Sequence, residues 1–257
     1  MSDRFFALTI AGGRGERLRP LTNNRPKPMV EINGKPIISY QVDWMRSQGV
    51  TDVIFLCGYK GEMIKEYFYH YMLHNNDVTI KLGKNRKITI HENHEAEDWE
   101  ITLVDTGENT LKGARIHKIM DYIDDDFMVT YGDGLSDVNL EDLLKFHKSH
   151  GKLITMTAVR PAAKFGELKL NRDQVSSFEE KPQLNEGWVN GGFFVMEPEC
   201  MDLIEGDTTM LEREPLVAAA KQGDLIAYRH EGFWQCMDTK RDKDKLGKIL
   251  KSKKFKF

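Results

Sequence analysis

The segment "AGGRGERLRPLTNNRPKPMVEINGKP", residues Ala11–Pro36, directly follows the short apolar run Phe5–Ile10. A buried strand that ends in Gly12, Gly13 and Gly15 leaves backbone N–H groups open to close approach by a base or a phosphate. The basic residues that follow, Arg17 and Lys27 among them, suit a large anion. Two nucleotide motifs compete for such a loop, and both fail on named residues. A P-loop requires G-x-x-x-x-G-K-[ST], and no Lys-Ser or Lys-Thr follows these glycines at that spacing. The dinucleotide fingerprint G-x-G-x-x-G opens a long helix, whereas here Leu18 stands at the third glycine position and "RPLTNNRPKP" cannot continue as one. Taken alone, "AGG" is a common glycine turn with solvated basic neighbours. The whole stretch is more specific, because Pro26 and Pro28 stiffen the backbone on both sides of Lys27.

Outward from this loop, short apolar runs alternate with helical spacing. "VIFLCG" reads as a buried strand after the helix "PIISYQVDWMRSQG", which has Pro36 at its start and Gly49 past its end. "GEMIKEYFYHYMLHNN" has helical spacing, Val78–Leu82 and Lys87–His91 are strand candidates, and "WEITLVDTG" is another. A helix over Lys112–Tyr122 precedes the strand "FMVTYGDG", and a helix over Leu140–Ser149 precedes "LITMTAV". Alternation of this kind predicts an α/β fold, a Rossmann-like, mostly parallel sheet with flanking helices. Beyond Phe165 come "GELKL", "QVSSFEEKP" and "WVNGGFFVM", then "LIAYRHEGFWQCMDT" as two strands and a turn, and a closing helix over Lys240–Lys251. No Pro/Gly/Ser-rich linker separates these parts. The expected organisation is one domain over residues 1–257, with an α/β core in 1–160 and a smaller β-rich subregion in 161–257.

Composition narrows the function classes. The chain has 257 residues, 40% hydrophobic and 30% charged, enough for a full hydrophobic core. A formal net charge of −3 gives no global basic field for nucleic acid or membrane. Only the final "KSKKFKF" is locally basic, and it reads as a solvated tail. No apolar run approaches bilayer length and no signal-peptide pattern opens the chain. Cys57, Cys200 and Cys236 are scattered and unpaired in motif, which points to a reduced, cytoplasmic setting.

The opening stretch resembles the signature of the sugar-phosphate nucleotidyltransferases. "LVDTGENTLKGARI", "VTYGDGLSDVNLEDLLKFHKSHG", "FGELKL", "VSSFEEKP", "WVNGGFFVMEPE" and "GFWQCMDTKRDKDKL" narrow the likeness to the glucose-1-phosphate cytidylyltransferases within that family, over nearly the whole chain. The resemblance implies Mg²⁺-dependent transfer of a cytidylyl group from CTP to α-D-glucose 1-phosphate, with CDP-glucose and pyrophosphate as products. It also implies a homo-oligomer that feeds deoxysugar synthesis for surface O-antigen polysaccharide. Residues 1–160 then hold the nucleotide and 161–257 the sugar. Such a transfer needs positioning and charge stabilisation rather than a Ser or Cys nucleophile, since the sugar phosphate itself attacks. Glu16 stands where cytidylyl members carry Thr, and "RPLT" looks more like thymidylyl and uridylyl relatives. Another base (dTTP, UTP or GTP), another sugar 1-phosphate and a non-catalytic nucleotide-sugar sensor therefore stay open as alternatives. A carboxylate beside a triphosphate loop is tolerable only if Glu16 points away or pairs with an arginine such as Arg14 or Arg19.

The resemblance distributes roles over named positions. Ile10, Ala11, Gly12, Gly13, Arg14, Gly15, Glu16, Arg17, Lys27, Thr106, Thr110 and Gly132 form the nucleotide-binding set. Arg17 and Lys27 face the leaving pyrophosphate. Lys181 contacts the sugar phosphate, and Glu180, Asn190 and Gly191 surround the sugar. Asp133 and Asp238 hold the metal. Without the family, a strand-end Asp133 reads as a turn residue, Asp238 as the N-cap of the last helix, "EEKP" as a charged turn and "NGG" as a hairpin turn. His70 and His74, spaced i, i+4 near Asp77, with His91 and His94 beyond, offer a rival metal site, although "HENH" lacks the H-E-x-x-H spacing. Tyr67, Phe68, Tyr69 and Tyr71 read as core and interface aromatics.

Overall fold

The apolar runs around the glycine loop form the middle of a seven-stranded sheet. In chain order its strands are β1 (Phe6–Ile10), β2 (Asp52–Cys57), β3 (Glu100–Asp105), β4 (Phe127–Tyr131), β5 (Ile154–Val159), β6 (Val189–Met196) and β7 (Leu225–His230). In space they run β7-β5-β6-β4-β1-β2-β3. The β1–β2, β1–β4, β2–β3 and β5–β7 pairs are parallel, and β6 lies antiparallel between β4 and β5. The helices are α1 (Ile37–Ser47), α2 (Gly61–Tyr69), α3 (Tyr71–Asn75), α4 (Lys112–His117), α5 (Leu140–His150), α6 (Glu214–Gln222) and α7 (Lys240–Lys251). This computed structural model describes residues 5–91, 100–161, 167–171, 174–179 and 187–252.

Both faces of the sheet are covered, which explains why its strands read as unbroken apolar runs rather than as alternating patterns. Ala7, Phe55, Met128 and Phe193 pack on one face beneath Ile38, Val42 and Met45 of α1 and Leu140 and Leu143 of α5. Leu8, Ile54, Val129 and Phe194 pack on the other beneath Ile116 of α4 and Leu216 and Ala219 of α6. A third cluster, Leu18, Val30, Ile32, Ile37, Leu135, Met237 and Leu246, fastens the glycine-loop segment to α7. Asn33 Nδ2 adds a hydrogen bond to the Gly247 carbonyl at 2.9 Å. Two distant parts of the sequence thereby meet at one edge of the molecule.

The mostly parallel α/β sheet matches the expectation from sequence, and four details differ. The helical run after Gly61 breaks at His70, where Tyr67, Phe68 and Tyr71 pack ring against ring and against Phe55. The Lys112–Tyr122 helix shortens to α4 and a 3₁₀ turn, Met120–Tyr122. Residues beyond 160 supply an outlying hairpin, Glu167–Asn171 with Gln174–Glu179, and also β6 and β7 of the central sheet. The strand after β7, Trp234–Cys236, pairs with Gly134–Ser136 rather than folding back on β7.

A capping box opens α7: the Thr239 side chain accepts from Asp242 N–H, and the Asp242 side chain accepts from Thr239 N–H. Thr239, not Asp238, is therefore the N-cap. Thr239→Ala is expected to lower stability by about 1 kcal/mol, read as a shift in the urea midpoint at constant m-value. A loss indistinguishable from zero would show that α7 is held by Leu246 and its apolar neighbours alone.

Candidate active site

The chain order reverses between β1 and β4, since β1 is followed by β2 on one side and joined by β4 on the other. Open parallel sheets bind ligands at such a switch point, outside the carboxyl ends of the strands. The glycine loop leaves β1 there, and Gly132-Asp133 leaves β4 beside it. Gly132 N–H donates to the Ile10 carbonyl at 3.0 Å. A Cβ on Gly132 would stand 2.9 Å from Pro28 Cγ and 3.1 Å from the Ile10 oxygen, so this close approach requires glycine. From the third side, Met237 N–H donates to the Asp133 carbonyl at 2.8 Å and brings Asp238 to the same spot.

Four charged side chains converge there. Lys27 begins a 3₁₀ turn after Pro26, is only 8% exposed, and donates from Nζ to Asp133 Oδ2 at 2.5 Å and to Asp238 Oδ1 at 2.6 Å. Arg17, largely exposed, reaches Asp238 Oδ2 from Nη1 at 2.8 Å. Burial by itself lowers the Lys27 ammonium, but the Asp133 and Asp238 carboxylates outweigh it and hold its pKa above the ordinary lysine value. Two carboxylates from separate loops thus share one cation. The same all-oxygen pair suits a hard divalent ion that completes its shell with water and substrate phosphate. Cys236 lies nearby, and burial first, then Asp238 and Asp133, push its thiol up to about 11. That shift favours the neutral thiol over the thiolate that a cysteine nucleophile requires.

Arg115, in α4, was not among the residues singled out from sequence. It is 3% exposed. Its Nη1 donates to the Cys57 carbonyl at 3.0 Å, Thr106 Oγ1 at 2.6 Å and the Gly107 carbonyl at 2.7 Å. Its Nη2 donates to the carbonyls of Gly12 at 3.2 Å and Glu108 at 3.3 Å. One guanidinium thus ties together the loops leaving β1, β2 and β3. Burial lowers its pKa and Asp105 partly restores it, but an arginine stays charged. A Cβ on Gly12 would fall 2.2 Å from Arg115 Cζ, and one on Gly58 2.5 Å from Nη1, so both glycines make room for it.

The remaining expected residues sort by their surroundings. Ile10 and Ala11 are buried, Ile10 with its side chain in the core. Gly13 faces open space, and Gly15 takes φ +61. Arg14 pairs with Glu108 at 2.8 Å, and Glu16 pairs with Arg19 at 3.6 Å, one of the two partners that make its charge tolerable in this loop. Thr106 Oγ1 donates to the Cys57 carbonyl and Thr110 Oγ1 to the Thr106 carbonyl, so both hydroxyls brace the loop. Asn190 Oδ1 accepts from Gly192 N–H at 2.7 Å, and the Gly191 carbonyl accepts from Trp234 Nε1 at 2.6 Å. Glu180, Lys181, His94 and the tail 253–257 lie outside the described residues. The His70 and His74 rings stand 6.1 Å apart, and among the described residues no third ligand joins them. Tyr67 and Phe68 pack against the core as expected, while Tyr69 is 83% exposed.

An anion-seeking glycine loop at the switch point of a mostly parallel sheet marks a nucleotide-binding α/β protein. The chain belongs to the nucleotidyl transferase family, whose sequence model matches residues 6–234. The glucose-1-phosphate cytidylyltransferase of Salmonella typhimurium is 47% identical over 239 residues, 92% of each chain. The probable glucose-1-phosphate cytidylyltransferase of Bacillus subtilis is 39% identical over 245 residues, 95% of each chain. Among solved structures, HddC from Yersinia pseudotuberculosis complexed with GMP-PN has a TM-score of 0.68 over 96% of this chain and 99% of its own, at 20% identity, a likeness of fold. Among the described residues no helix is long and apolar enough to cross a membrane.

Proposed function

We propose that this nucleotidyltransferase moves a cytidylyl group from CTP to α-D-glucose 1-phosphate, releasing pyrophosphate, with Mg²⁺ held by Asp133 and Asp238. The observation that carries the reaction type is the convergence of these two carboxylates, from separate loops, on Lys27 beside the glycine loop. The 47% identity to a glucose-1-phosphate cytidylyltransferase supports the choice of base and sugar. When bound, the ion offsets phosphate charge at the reacting centre. A phosphate oxygen of the sugar 1-phosphate attacks the α-phosphorus of CTP, and the bond to the β-phosphate oxygen breaks. The chain's part is to position and to neutralise. Lys27 touches both carboxylates and therefore stands beside whatever cation they share. It exchanges a carboxylate for a phosphate oxygen as polyphosphate arrives, and Arg17 follows from the solvent side toward the leaving pyrophosphate. The N–H groups of Gly12 to Gly15 approach the nucleotide, Thr106 and Thr110 keep the facing loop in place, and Glu180, Lys181, Asn190 and Gly191 meet the sugar phosphate.

Glu16 bears on base choice. Its pairing with Arg19 takes up the one negative charge in the loop and leaves Arg17 and Lys27 to the nucleotide. Pyrophosphate release measured with CTP, dTTP, UTP, ATP and GTP, each against a panel of sugar 1-phosphates, is expected to be fastest for CTP with glucose 1-phosphate. No turnover with any pair would overturn the enzyme reading, and a clear preference for dTTP would overturn the cytidylyl one.

A further inference from the structure

We propose that Asp126, His147 and Glu197 bind one divalent transition-metal ion of the Zn²⁺ class, at the end of the sheet opposite the active site. The strand register brings two of them together. Phe127 of β4 pairs with Met196 of β6 in an antiparallel ladder, and one further step sets Asp126 opposite Glu197. Carboxylates directly opposed on neighbouring strands repel unless something lies between them. Into this edge α5 inserts His147, whose side chain is 1% exposed. Its Nε2 has no hydrogen-bond partner among the described residues and stands 3.9 Å from Asp126 Oδ2. That separation is too long for a hydrogen bond and leaves room for an ion. One donor atom from each residue lies within 4.8 Å of the other two. Ligands on a shared four-coordinate Zn²⁺ stand roughly 3.4 Å apart, so closure needs side-chain shifts of about 1 Å. The two carboxylates are part-exposed and have that freedom.

The hydrogen bonds behind His147 fit a metal ligand. Lys152 N–H donates to His150 Nδ1 at 3.1 Å, so neutral His150 carries its proton on Nε2 and donates it to Thr155 Oγ1 at 2.7 Å. The same hydroxyl lies 2.8 Å from His147 Nδ1 and can accept Nδ1–H on its second lone pair. In the tautomer with the proton on Nδ1, the one an ion at Nε2 selects, Nε2 presents its lone pair to the two carboxylates and is oriented from behind as ligating imidazoles are. One nitrogen with two carboxylates suits Zn²⁺ and its neighbours better than Mg²⁺, which favours an all-oxygen shell. Asp126 and Asp133 lie seven positions apart on either side of the extended strand β4, so the two sites are separated by roughly 20 Å. The ion would staple β4, β6 and α5 at an edge with no part in the reaction.

The test uses the full chain, stripped with chelator and dialysed against Zn²⁺ in excess Mg²⁺, with Co²⁺ absorption as a second readout. One equivalent of Zn²⁺ is expected, with a raised Tm and the intense visible bands of four-coordinate Co²⁺. His147→Gln and Glu197→Gln should each weaken binding at least about tenfold, with Mg²⁺-supported turnover unchanged. Should the buried His147 variant fail to fold, Glu197→Gln and Asp126→Asn at part-exposed positions carry the test. Absence of the equivalent in the wild-type chain overturns the site. So does its retention in Glu197→Gln, which binding at His70 and His74 would produce.

Discussion

Asp133→Asn is expected to lower turnover by about 10²–10³-fold while the chain stays folded. The change keeps shape and volume and removes one charge. Lys27 would still hold Asp238 at 2.6 Å, so the ammonium is not stranded. The stability loss should therefore stay near that of one charged hydrogen bond, about 1.5 kcal/mol. If the proposed metal site holds, catalysis suffers more, because one of its two hard oxygen ligands becomes a neutral amide where phosphate charge develops. Asp238→Asn should behave alike, with the additional release of Arg17, which loses its carboxylate partner at 2.8 Å. Titration of turnover with Mg²⁺ separates this reading from simple misfolding: both variants should need far more metal to reach half-maximal rate. Lys27→Met makes the contrast. It leaves both carboxylates in place, so metal demand should hold steady or fall while the maximal rate drops. A near-native rate in either Asp variant would remove the metal assignment.

Much of the fold was legible because its signals are local. "FALTI", "DVIFLC" and "FMVTY" are strands covered on both faces, and the glycine loop announces where the first of them stops. Helix α6 was also readable in principle, with Pro215 in its first turn and Gly223 in the left-handed conformation at its end, but "EPLVAAAKQ" has a weak polar face and no obvious amphipathic stripe. The pairing of Asp133 with Asp238 was expected only through family resemblance, and the contact of both with Lys27 was not expected at all, because they lie 106 and 211 positions from it in the chain. Asp238 also carried a false local reading as a helix cap, which the Thr239–Asp242 box removes. Asp126 and Glu197 meet through strand register alone, and no sequence spacing encodes that. Arg115 had no signal at all: its acceptors are mostly backbone carbonyls, which every residue possesses, so nothing in "KGARI" points to them.

Arg115→Met should affect both stability and activity, and the second effect is the more informative. Of its acceptors, the Gly12 carbonyl keeps Tyr59 N–H at 3.1 Å and the Cys57 carbonyl keeps Thr106 N–H at 3.0 Å, so neither is orphaned. The carbonyls of Gly107 and Glu108 lose a donor, and a loss of about 2–4 kcal/mol is expected. The guanidinium also sets the spacing between the loops leaving β1 and β3, and a shift near 1 Å in reacting groups can cost about 10²-fold. If the first loop binds the nucleotide, the KM for CTP should rise well before the KM for glucose 1-phosphate does. Gly12→Ala supplies the decisive comparison. In the wild-type background its methyl would collide with Arg115 Cζ at 2.2 Å and displace a side chain that is otherwise locked. With methionine at position 115 the planar fork is gone, and a flexible thioether can move aside. The alanine change should then cost much less, so the two substitutions should be strongly non-additive in kcat/KM. Additive effects would mean that Arg115 supports the fold without setting the loop, and that the nucleotide geometry is determined elsewhere.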